Sequence, residues 1–214
     1  MTSSDFGWRL MWLPLTVLSL TVHEFAHAWS AWKLGDDTAS RQGRLTLNPL
    51  AHVDLLGTII LPLLGVPFGW AKPVPVDPSR FRRDISMGKG MAITAAAGPV
   101  SNVLMAVLAA VGLGLAFRFS PALVDNGQPA RFFLVNMVLL NVGLALFNLI
   151  PIPPLDGSRI VAWVLPFRLR TMWHELERFA PLLLLGVFWF GGRLVQAPIQ
   201  AVASLLFDIT RALA

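Results

Sequence analysis

From Met91 to Phe117 the chain carries no charged residue, and the same holds from Phe132 to about Ile150. A helix needs about 20 residues at 1.5 Å each to cross the hydrocarbon core of a bilayer, and both runs are close to that length or beyond it. Few folds other than a membrane protein accept such segments. Composition agrees: 14% of residues are charged and the mean hydropathy is +0.64, whereas a soluble domain carries about 25% charged residues. The expected fold is an all-α polytopic membrane protein.

A third apolar run, from about Trp8 to Leu34, precedes these two and is closed by Gly35-Asp36-Asp37. It resembles a signal peptide only superficially, because its start carries Asp5 and its apolar stretch runs on past Glu24. Together the three runs predict a three-helix core over about residues 8–165. One or two further helices follow over about 166–214, the last from Ile199 to Leu213 on or in the membrane. No polar segment is long enough to fold alone, so residues 1–214 read as a single domain. Between the first two spans, Arg41 to Asn48 alternates weakly and Lys72 to Val76 looks extended, which predicts short membrane-associated β-strands. Leu55 to Trp70 is apolar but dense in Gly and Pro, so it reads as re-entrant rather than crossing. The net charge is +5. In a soluble protein that would suggest nucleic acid. Here most of the 17 basic residues fall in segments 33–90 and 158–178, between apolar runs, and the positive-inside rule puts both on the cytoplasmic side. The partner implied is the lipid bilayer, with no nucleic acid. There are no cysteines, so disulfides and thiolate metal ligands are excluded.

The first run contains His23-Glu24-Phe25-Ala26-His27, an HExxH pattern. On a helix, positions i and i+4 share a face, so both imidazoles can reach one zinc ion while Glu24 reaches a water beside it as general base. Thr16, Ser19, His23, His27 and Ser30 recur at helical spacing as a polar stripe. Ionisable groups inside a membrane cost at least about 2.5 kcal/mol each on insertion scales, and a divalent cation would offset that cost. Zinc takes a third protein ligand and leaves a fourth position open. Asp156 is one candidate, aimed by the prolines that break the third span; the competing reading is that Asp156-Gly157 is an ordinary turn. His52 is another, in a turn of its own, and His174 sits in a charged segment and reads as solvated. Depth supports Asp156: the histidines, Gly98 to Asn102 and Asp156 all fall at one level near the cytoplasmic side. Asn102, Asn148 and His52 are candidates for substrate binding or support of the site, and Asn141 shares a helix face with Asn148.

HEFAH, LNPLAHVDLLG, FGWAKPVPV, GPVSN and NLIPIPPLDG, in this order, resemble the site-2 protease family of intramembrane zinc metalloproteases over roughly residues 15–165. The resemblance implies one zinc per chain, held by His23, His27 and Asp156, with Glu24 as catalytic acid/base and Asn148 near the substrate. It implies peptide-bond hydrolysis in or near a transmembrane helix of another protein, in a multi-pass protein of a bacterial-type plasma membrane. The two predicted strands correspond to β elements that in this family are thought to meet an unwound substrate. A PDZ domain between the spans and a regulatory domain at the end, as in larger members, are not expected. Two other readings start from the same residues: a membrane metal transporter, which needs a polar path to the outer side, and a catalytically inactive scaffold of the same fold.

Overall fold

A computed structural model describes residues 3–64, 69–186 and 192–214. Its helices are α1 (Ser3–Lys33), α2 (Thr38–Arg41), α3 (Leu61–Leu63), α4 (Met87–Phe119), α5 (Pro129–Asn148), α6 (Asp156–Val164), α7 (Phe167–Glu177), α8 (Ala180–Gly186) and α9 (Gly192–Leu213). By length and composition, α4 and α5 are apolar enough to cross a membrane. α1 is nearly as long as α4, 31 residues against 33, but His23, Glu24 and His27 dilute its hydropathy. It packs along both α4 and α5 and so runs beside the two spans.

α4 is the centre of the bundle and touches α1, α5, α6 and α9. Its buried face is a stripe of small residues, Ala92, Ala95, Gly98, Asn102, Ala106, Ala109 and Ala110 among them. Small side chains let backbones approach closely, which is how helices associate where lipid is as apolar as leucine. Leu15 of α1, Met137, Val138 and Val142 of α5, and Ala203 and Leu206 of α9 fill the space around Ala106, Ala109 and Ala110. α9 starts before the expected Ile199. It docks by a hydrogen bond from Thr210 Oγ1 to Ala110 O at 2.9 Å, and a Cβ on Gly114 would meet Thr210 O at 2.8 Å. Residues 187–191, within the 166–214 segment expected to hold one or two further helices, lie outside the described residues.

α1 ends where Gly35 takes φ +110°. Asp36 N–H returns to Ala31 O and Gly35 N–H to Trp32 O, both at 3.0 Å, a paired closure that satisfies the last carbonyls of the helix. Buried Asp36 then accepts Asp77 N–H at 2.7 Å and Thr38 N–H at 3.0 Å. The end of α1 thereby anchors the loop that leads to α4.

No strand is present among the described residues, which corrects the predicted β elements. The stretch from Arg41 turns through Gly43 at φ +68°, and Arg44 N–H bonds Ala39 O at 2.8 Å, so its backbone is engaged locally. Lys72 to Val76 avoids helical structure as expected, but it has no partner strand. Lys72 N–H donates to His52 O at 2.8 Å, Arg44 donates to Lys72 O, and Pro73 and Pro75 have no N–H to pair. Residues 55–64 form a π-helical turn and α3, after which the chain comes back on itself. Thr58 Oγ1 donates to Trp70 O at 2.7 Å, and a Cβ on Gly57 would fall 2.5 Å from the Trp70 ring. The two described ends of this apolar segment therefore meet.

Candidate metal centre

The site is built from three helices. α1 supplies His23 and His27 one turn apart. α5 stops at Asn148, a proline-rich turn follows, and α6 begins on Asp156. Gly157 makes this return possible: a Cβ there would stand 2.2 Å from Leu149 O and 2.6 Å from Ile150 O. The bare backbone nests on the end of α5 and brings Asp156 back over the α1 histidines.

His23 Nε2 and His27 Nε2 are 3.0 Å apart, and Asp156 Oδ2 lies 3.3 Å from each. All three residues are buried. Thr94 O faces His27 Nδ1 at 2.7 Å. A carbonyl only accepts, so the ring donates there and the Nε2 of the neutral imidazole presents a lone pair. His23 Nδ1 is 2.6 Å from Asn102 Oδ1 and is used in the same way. Asp156 Oδ2 is buried with no hydrogen-bond partner. Two imidazole lone pairs and a carboxylate oxygen therefore converge with no donor between them, an arrangement that calls for a cation. The spacing suits one. A tetrahedral zinc ion with bonds of about 2.0–2.1 Å holds its ligand atoms roughly 3.3–3.4 Å apart.

Glu24 projects beside this cluster, its Oε2 accepting Val74 N–H at 3.0 Å. The cleft has a volume of about 150 Å³ and is lined by His23, Glu24, His27, Val74, Asn148 and Asp156, with Arg159 also on its wall. Asn148 is on the wall as expected, its Nδ2 donating to Leu144 O at 3.0 Å. Asn102 is fully buried behind His23 rather than exposed to the cleft. His52 is not on the cleft wall. Its ring bonds Thr46 O at 2.8 Å and its carbonyl holds Lys72, so it supports the segment that carries Val74. Arg159 went unnoticed in the sequence, although its i+3 spacing from Asp156 puts both on one face of α6. The Val74 amide carried no signal there at all.

The bundle thus brings both HExxH histidines, Glu24 and an aspartate to one cleft. The sequence profile of peptidase family M50 matches residues 119–180, a stretch that includes Asp156. YwhC of Bacillus subtilis (strain 168), which bears a provisional zinc-metalloprotease name, is 39% identical over 197 residues, 84% of either chain. Rip2 of Mycolicibacterium smegmatis, named in the same way, is 34% identical over 66% of this chain and 52% of its own length. Rip2 of Mycobacterium tuberculosis strain H37Rv is 28% identical over 82% of this chain and 68% of its own. No solved structure gives a significant match. The chain belongs to peptidase family M50, the site-2 protease family.

Proposed function

We propose that this chain is an intramembrane zinc endopeptidase that hydrolyses peptide bonds in or near transmembrane helices of other membrane proteins. The observation that carries the reading is the convergence of His23 Nε2, His27 Nε2 and Asp156 Oδ2 beside Glu24, on helices packed with the two apolar spans. Those three atoms would hold one zinc ion per chain. The protein is a single multi-pass domain of a bacterial-type plasma membrane, with its cleft nearer the cytoplasmic side, where the basic loops cluster.

When bound, zinc supplies a Lewis acid that polarises the scissile carbonyl and brings the pKa of water towards about 7. Glu24 takes the proton of the attacking water and returns one to the leaving amine. The Val74 amide on Oε2 keeps that carboxylate at the cleft. Arg159 is the donor we assign to the charge that develops on the substrate carbonyl oxygen. A substrate helix shields its own peptide bonds, so it must unwind before it can be cut. Lys72 to Val76, with Val74 on the cleft wall, gives an unwound chain a backbone to lie against.

The reading is tested with Glu24→Gln and a reporter protein whose only cleavable region is a transmembrane helix. The variant should bind zinc as the parent does and cleave no reporter. Full cleavage by Glu24→Gln would remove Glu24 as the base.

A further inference from the structure

We propose that Asn141 is a positioning residue for the metal, acting through Asn102 to hold His23 in the tautomer whose Nε2 lone pair faces the site. The inference rests on the metal reading above.

The two histidines are fixed in different ways. His27 is oriented by a backbone carbonyl, Thr94 O, which has only one possible role. His23 is oriented by a side-chain amide, Asn102, and an amide can turn over. Turned over, Asn102 would offer its NH₂ to His23 Nδ1. The ring proton would then move to Nε2, and a donor would point where a metal needs a lone pair.

Asn141 blocks that reversal. Its Nδ2 donates to Met137 O at 2.9 Å and to Ser19 Oγ at 3.0 Å. Met137 O is a backbone carbonyl and only accepts, so this end of the Asn141 amide must be its NH₂. Oδ1 is then the atom left for Asn102, whose Nδ2 donates to it at 2.8 Å. That engagement commits Asn102 Oδ1 to His23. Polarity thus passes from a carbonyl of α5, through two amides, to an imidazole of α1. Ser19, Asn102 and Asn141 are each fully buried. Water cannot rescue a reversed Asn102, whose Oδ1 would face Asn141 Oδ1, two acceptors with no proton between them.

The test measures zinc affinity of the purified full-length protein by chelator competition, with the visible spectrum of the cobalt-loaded protein as a second readout. Outer partners of metal ligands typically change affinity 10–100-fold. Asn141→Leu should weaken zinc about 10-fold and alter the cobalt spectrum, and Ser19→Ala should do the same more mildly. In an Asn102→Ala background, Asn141→Leu should add less than about twofold, because its route to His23 is already cut. Asn136→Leu is the control. Asn136 lies on the same helix and bonds Phe132 O of its own preceding turn, away from Asn102 and His23, so affinity should not change. Unaltered zinc affinity in Asn141→Leu overturns the proposal. So does an equal loss with and without Asn102, which would make Asn141 a packing residue. A parent chain that binds no zinc overturns the metal reading itself, a different result from a parent that binds and a variant that binds equally well.

Discussion

Gly98 of α4 lies directly against His27 of α1: a Cβ at position 98 would stand 2.5 Å from His27 Nε2 and the same distance from His23 Cε1. Both contacts fall on rings whose Nδ1 atoms are already tied. Neither ring can move aside without giving up its orienting bond.

Gly98→Ala should therefore abolish zinc binding while the bundle still forms, since the added methyl group intrudes on the ligand atoms themselves. Metal content of the purified variant checks this. Gly112→Ala on the same helix has only Leu134 Cδ2 nearby, at 3.8 Å, and should retain metal.

Asp156→Ala should lower zinc affinity by more than about 100-fold, beyond the range of a residue that only supports a ligand. Asp156→Asn keeps the shape and loses the charge, so it should fall between the alanine variant and the parent. Chelator competition ranks the three. Equal affinity in all of them would remove Asp156 as a ligand.

Arg159→Gln should leave metal content unchanged and lower kcat by about 10²–10³, the usual effect of losing one oxyanion donor, with little effect on KM. Kinetics on a transmembrane reporter read the split. A change confined to KM would make Arg159 a residue that holds the substrate rather than one that stabilises developing charge.

Acid should loosen the loop before α4 only below the usual carboxylate range. The Arg41 guanidinium holds the Asp37 carboxyl below its ordinary value, and the Ser79 hydroxyl and amide do the same for Asp77. A depressed folded pKa contributes stability above the unfolded value, about 3.9 for Asp, and loses it as pH falls through the folded one. Both groups are solvated, so the effect is small. Hydrogen exchange across residues 69–86 should be unchanged between pH 7 and pH 5 apart from the intrinsic rate, and protection should drop near pH 3.

The grouping of His23, His27 and Asp156 was legible because its chemistry is local in type and regular in spacing. HExxH sets two ligands one turn apart on α1, and the proline run before Asp156 marks where α5 must stop. Asn148 was legible for the same reason, as the residue at that stop. Other features depend on contacts that side-chain identity does not encode. Glu24 meets the backbone of Val74, fifty residues on in the chain, and an amide proton looks alike at every non-proline position. The expected strands failed because an alternating pattern says nothing about whether a neighbouring edge exists. Arg44 and His52 took up the groups of Lys72 that a ladder would have used. The role of Asn102 also lay out of reach, because only the packing of α4 on α1 shows that it turns towards His23 rather than to the cleft.

The alternation of Pro73, Val74, Pro75 and Val76 gives that extended segment two unlike edges. Along such a chain successive residues turn their backbone groups to opposite sides. The edge carrying Val74 has an amide proton, which Glu24 Oε2 takes, while the edge carrying Pro73 and Pro75 has carbonyls alone. No ordinary ladder can grow along the proline edge, so a neighbouring molecule cannot zip onto that side.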